Sequence, residues 1–306
     1  MDTPVNRRQA RGSKGEMMMN VRSGARCLAL LACLGALMGL QAASASADEW
    51  SKFDNCPATN EEVKKCIYSV VESGEFVLGN KKVPIVNPVV LQGGYGKANA
   101  EAISKFYGAT NGVTLSKSPQ PVPGGLLGIV PPENSPWLVR QLSKFFFENS
   151  LTGVNSTLEL ALPADKIEFS EFHLLFAKGT ALKLPTRVHL ENPFLGKNCY
   201  VGSSSSPIWL NLTTGTTAPP PPNTPISGSV GKGEFLEEGQ LAKINGLKLV
   251  DNAWSAPKAS GCGGILSFLV DPIINAQIGL PSAAGKNTAI QTGTSYSATT
   301  KAVNSH

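Results

Sequence analysis

Leu182-Lys183-Leu184-Pro185-Thr186-Arg187-Val188-His189-Leu190-Glu191 carries mostly apolar side chains at even positions and polar ones at odd positions. A two-residue period is the signature of a strand with one buried face, because successive side chains point to opposite sides of the backbone. Leu158, Leu160 and Leu162 repeat the pattern, as do Ile208, Leu210 and Leu212. Parallel strands packed between helices tend to be apolar on both faces, so clean alternation predicts antiparallel sheet. Glu75–Leu78 and Val83–Val86, joined by Gly79-Asn80-Lys81-Lys82, read as a hairpin whose second arm Pro84 and Pro88 restrict to an edge. Residues 292–300, rich in Thr, Ser and Ala, read as a last edge strand.

Helical signals are few. Ser135–Asn149 has Pro136 in its first turn, Ile265–Ile278 is interrupted by Pro272, and Asn60–Tyr68 has a polar cap and early acids. The fold class expected is mainly β, an antiparallel β-sandwich or open β-barrel with two or three packed helices.

Outward from this core, Arg22 and Arg26 precede an apolar run from Cys27 to Leu40, and Ala45-Ser46-Ala47 follows. That order describes a signal peptide over residues 1–47, removed on export. A run of this length is short for a transmembrane anchor, and Cys33 sits too deep in it for a lipoprotein signal. Residues 48–306 then form a single β-rich secreted domain, with the Pro-rich stretch 213–225 as an ordered surface loop rather than a linker. The location expected is secreted, extracellular or loosely attached to the cell surface.

The 306 residues carry 27 basic and 22 acidic side chains, but six of the basic and two of the acidic ones fall within 1–47. The remaining 21 and 20 nearly cancel, which removes the charge argument for nucleic acid or anionic membrane as a partner. Four cysteines remain, and an even count in an exported chain reads as two disulfides. Of the three connectivities, Cys56–Cys66 with Cys199–Cys262 is the one expected. No CxxC pair exists and His173, His189 and His306 are scattered, so no metal is expected.

No set of residues reads as catalytic and no cofactor is implied. Gln92-Gly93-Gly94-Tyr95-Gly96-Lys97 has the glycines of a phosphate loop in the wrong register, and reads as a flexible turn before a helical stretch at 98–103. The serines at 203–206 lack the closing glycine of a nucleophile elbow. Arg187, His189 and Glu191 should form a polar surface ridge, which is a solvated strand face, or else a site for an anion or for general acid/base chemistry. Pro121–Pro132 is apolar yet rich in Gly and Pro; it is expected to cross the core, or else to act with Leu126, Leu127, Ile129 and Trp137 as an apolar ligand loop.

Thr213–Asn223, Leu249–Ala253 through Gly261-Cys262-Gly263, and Gly279–Thr288 resemble an uncharacterised family of secreted proteins from high-GC Gram-positive (actinobacterial) bacteria. The resemblance implies export and a bacterial setting, and it assigns no site residue. The function expected is a non-enzymatic extracellular or cell-envelope binding or structural protein. Its partner would be an envelope component or an apolar small molecule, and the alternatives are a carrier of an apolar molecule or lipid and a secreted hydrolase.

Overall fold

The computed structural model describes residues 49–147 and 151–306; the leader expected at 1–47 lies outside the described residues. Residues Trp50–His306 form one compact unit, so the Pro-rich stretch does not divide it. In chain order the strands are β1 (Lys65–Leu78), β2 (Lys81–Pro84), β3 (Val89–Ala98), β4 (Ser104–Gly108), β5 (Gln120–Val122), β6 (Val154–Leu160) and β7 (Glu168–Phe169). They continue with β8 (Leu182–Glu191), β9 (Tyr200–Val201), β10 (Ile208–Leu212), β11 (Lys232–Leu236), β12 (Leu241–Asp251), β13 (Ala259–Ser260) and β14 (Thr288–Thr299). The helices are α1 (Trp137–Phe147), α2 (Glu171–Phe176), α3 (Ser267–Ile278) and α4 (Thr300–Val303).

All these strands belong to one antiparallel sheet, in the order β11-β12-β14-β1-β3-β4-β7-β8-β6-β5, with β2, β9, β10 and β13 attached at its flanks. The sheet curls without closing into a barrel. At the open seam β10 approaches β12 only at its end, where Thr213 and Val250 exchange backbone hydrogen bonds of 3.0 and 2.9 Å. Asp251 secures the same corner by accepting from the Asn211 N–H at 2.6 Å. Burial pushes the Asp251 carboxyl above the ordinary range, while the N–H groups of Ala253 and Asn211 pull it down.

The alternating segment that predicted the fold is β8 itself, with Leu182, Leu184 and Leu190 buried. It serves as a junction, pairing with β7 and β6 along one edge and with β10 and β9 along the other. The hairpin forms as expected through β1 and β2, and among the described residues no second strand pairs with β2. The bulge between Val71 and Ser73 shifts the parity of β1, so that Val71 before it and Phe76 and Leu78 after it face the same side.

Four expectations need correction. Asn60–Tyr68 is not a helix: a turn occupies 60–62, and the β-branched and aromatic residues after Lys65 enter β1 beside the Cys56–Cys66 disulfide. The glycines at 93, 94 and 96 are neither a turn nor a phosphate loop. They lie inside β3, where a Cβ on Gly93 would run into the Tyr107 carbonyl and lie 2.8 Å from the Phe106 ring. The stretch 98–103 is likewise a turn before β4, not a helix. Finally, β14 is no edge strand, because it pairs with β1 on one side and β12 on the other.

Both expected disulfides are present, Cys56–Cys66 and Cys199–Cys262, and all but Cys56 are fully buried. The main core gathers inward-facing residues from β1, β3, β6, β8, β10, β12 and α3. A smaller cluster of Trp50, Phe53, Cys66, Leu241, Tyr296 and Ala302 forms separately, and His306 stacks on Trp50 with ring centres 4.1 Å apart.

Candidate functional site

Within this core lies a cavity of about 120 Å³. Its walls follow from strand alternation: Leu182, Leu184, Val188 and Leu190 of β8 stand on one side, facing Val71, Phe76 and Leu78 of β1 and Val89 and Leu91 of β3. Val154 and Leu158 of β6 continue the wall, and Ile274 and Ile278 of α3 close one end. An engineered cavity of about 150 Å³ with such a lining stays dry and takes up benzene, so this space suits one small apolar group or chain segment.

Polar side chains in the wall are few, and most are engaged. Gln120 uses both ends of its amide, its Oε1 accepting from Val86 and Asn87 and its Nε2 donating to the Asn87 and Ser118 carbonyls. Ser118 donates to the Pro88 carbonyl at 2.6 Å. Gln277 on α3 donates to the Leu126 carbonyl at 2.8 Å, which ties the helix to the 125–127 turn across the mouth. Lys81 is the one ionisable side chain among the described lining residues. Burial lowers its pKa from the ordinary lysine value.

Outside the mouth lies an open apolar groove between Leu126, Leu127, Phe194, Val270 and Ile273. Large apolar side chains are also exposed on α1 and at and just before the start of α3: Trp137 is 67% exposed, Phe145 71%, Phe268 70% and Ile265 95%. The four residues expected to form an apolar ligand loop are therefore divided. Leu126 reaches the cavity and Leu127 the outer groove, whereas Ile129 and Trp137 stand on the surface and line neither. The expected core crossing is corrected with them. Val122 and Gly125 are buried, but Leu127, Ile129 and Val130 are half exposed, because the left-handed turns at Gly124 and Gly128 lead the chain over the rim.

Arg187, His189 and Glu191 do share a face, on the outer side of the strand whose inner side lines the cavity. Each is already engaged by a neighbour. Arg187 donates through Nε and Nη2 to Glu159 Oε2 at 3.1 and 2.8 Å and lies over the Tyr200 ring at 4.3 Å. His189 stacks on the same ring, and its two nitrogens face the Lys197 carbonyl at 3.1 Å and Glu191 Oε1 at 3.5 Å. Thr157 donates to Glu191 Oε2 at 3.1 Å. The ridge is thus a cross-strand ladder that staples β6, β8 and β9 together behind the cavity wall.

Burial alone would raise the Glu159 carboxyl, but hydrogen bonds from Arg187 and Lys117 outweigh it and hold it below the ordinary range. Its stabilising contribution is therefore complete above the unfolded value of about 4.3 and is lost as pH falls through the lower folded value. Glu159→Gln should cost about 1–2 kcal/mol at neutral pH, a figure reduced because Arg187 and Lys117 are 33% and 69% exposed. Urea titrations from pH 7 to 3 check it: the difference between wild type and variant should shrink toward pH 3.

Sequence reading missed most of the inner wall. Leu184, Val188 and Leu190 were within reach, since the even positions of the alternating segment are the cavity face. Lys81 and Gln277 carried no local signal, because the fold brings them to the mouth from opposite ends of the chain. Glu159 and Tyr200, the partners of the ridge, lie on other strands. No family model, no curated protein and no solved structure matches this chain.

Proposed function

We propose that this is a secreted, non-enzymatic binding protein that carries an apolar small molecule in the cavity enclosed by β1, β3, β6, β8 and α3. The observation that carries the reading is the cavity itself: an apolar space of about 120 Å³ within a disulfide-bearing β fold, where native cores normally pack without large voids. The exposed apolar rim supports it, since a ligand leaving the mouth meets a surface that does not force it into water. The two disulfides and the absence, among the described residues, of a helix able to cross a membrane accord with an extracellular location.

Burying each methylene is worth about 0.8 kcal/mol, so eight carbons supply about 6 kcal/mol before association costs, and an eight-carbon alcohol should bind in the high-micromolar to millimolar range. Native mass spectrometry after gentle purification, followed by calorimetric titration with 1-octanol, tests this. A retained small apolar mass, or saturable one-to-one uptake, is the expected result. Leu184→Trp places an indole in the cavity and should weaken octanol at least tenfold, while overpacking costs about 1–3 kcal/mol of stability. Wild-type protein that takes up no octanol and carries no ligand sinks the proposal.

A further inference from the structure

Lys81 is placed where an acidic head group would be read. It belongs to β2, the edge strand of the hairpin, and lines the cavity at its mouth. Its neighbour Lys82 points the other way and pairs with Glu75 at 2.7 Å. The carboxylate available at this edge is therefore spent on the outward lysine. Among the described residues, none pairs with Lys81 or accepts a hydrogen bond from its ammonium group.

The surroundings set the geometry. The Lys81 ammonium lies against Gly128, and a Cβ built on that glycine would also lie 2.8 Å from Gln277 Nε2. A cation and an amide N–H₂ thus meet at one point of the rim, where the 125–128 turn and α3 approach each other. Inward from that point the wall is almost wholly apolar, with Phe76, Leu78 and Val83 contributed by the hairpin and Ile274 and Ile278 by the helix. A positive group at the entrance of an apolar space complements an anion with a hydrocarbon tail. The volume admits a single chain segment and not two.

Resting on the carrier reading, we infer that the ligand is a single-chain amphiphile with an acidic head, its tail in the cavity and its carboxylate or phosphate held by Lys81. Burial of an uncompensated ammonium already depresses its pKa, and an anion seated beside it would relieve that cost.

The experiment compares octanoate, octyl phosphate, 1-octanol and octyltrimethylammonium by calorimetry at pH 7.5, on wild type and on Lys81→Met. At least one acid should bind wild type about tenfold more tightly than octanol, the scale of one charge-assisted hydrogen bond at a half-buried site. The ammonium amphiphile should bind more weakly than octanol. In Lys81→Met the acid should lose its advantage over octanol, and a cooperative urea transition at the wild-type midpoint reports that the variant is folded. Lys81→Arg should restore part of the preference. The tighter of the two acids identifies the head group. Equal binding of acid and alcohol by wild type, or an acid preference that survives in Lys81→Met, overturns the head-group assignment and leaves the cavity reading standing. Failure of all four amphiphiles on wild type overturns both.

Discussion

Alanine at Gly293 should leave the protein barely able to fold. Gly293 lies in β14 at the level where both neighbours are bulged, opposite Val71 of β1 and Leu247 of β12. A Cβ there would run into the Val70 carbonyl oxygen and sit 2.8 Å from its carbon and 2.9 Å from the Val71 Cα. These are backbone atoms, so no rotamer change relieves the overlap; β1 and β14 must separate. Their pairing runs from Lys65–Thr299 to Val77–Thr288, the longest ladder of the sheet, and β1 supplies part of the cavity wall. We expect a loss of at least about 4 kcal/mol, in the tail reserved for substitutions that break a packed backbone. A domain holds only about 5–15 kcal/mol in all, so soluble yield should collapse. Gly233→Ala is the control: it lies on edge strand β11 with nothing within 4 Å of its Cβ, and should shift stability by no more than about 1 kcal/mol. Urea unfolding of both variants decides the matter, and a Gly293→Ala midpoint equal to wild type would refute the argument.

The same glycine shows what sequence reading can and cannot reach. Alternation is a local property, and it located β6, β8 and β10, the buried faces of β8 and β10 and the antiparallel class without any long-range information, whereas on β6 Leu158 and Leu160 are only partly buried and Thr157 and Glu159 on the other face are buried. Register and neighbour choice are not local. The Thr- and Ser-rich segment at 292–300 looks like a wet edge, yet β14 sits between β1 and β12, because its small side chains permit the close approach that the bulges require. The glycines of β3 misled for a related reason: a run of Gly signals a turn in isolation, whereas here it makes room for Phe106 and Tyr107. The disulfide pattern was legible from cysteine count and the expectation of export, and both pairs form as expected. The Arg187–Glu191 ridge was legible as a face, but not its engagement by Glu159 and Tyr200, which depends on which strands flank β8. The cavity was the least accessible feature, since an unfilled volume is a property of how faces meet rather than of any one face.

Removing the Cys199–Cys262 disulfide should damage stability and ligand binding together, whereas removing Cys56–Cys66 should damage stability alone. The first bond closes a loop of 63 residues, and loop-closure entropy assigns it about 4 kcal/mol; the second spans 10 and is worth about 3 kcal/mol. The difference in function comes from location. Cys262 follows β13, which pairs with β9, and the Asp271 carboxylate accepts the N–H groups of Cys262 and Gly261 at 2.7 and 3.2 Å. Asn275 holds Ala259 from both sides, at 2.7 and 3.0 Å. Asp271 and Asn275 both belong to α3, so the disulfide, the short β9–β13 pair and these two side chains fasten the helix that carries Ile274, Gln277 and Ile278 to the cavity. Gly263 adds a hydrogen bond to the carbonyl of Leu195, another wall residue, at 2.7 Å. With both cysteines changed to alanine the helix keeps its polar contacts but loses its covalent tether, and the wall it forms should open more often. We expect a fall in melting temperature of about 10 °C and at least a fivefold weaker uptake of 1-octanol. The Cys56/Cys66 double alanine variant should melt lower by about 8 °C and bind octanol as wild type does, because its bond packs in the small cluster with Trp50 and Tyr296, outside the cavity lining. Equal octanol affinity in the two double variants would show that α3 holds its place without the tether, and would remove the disulfide from the account of the site.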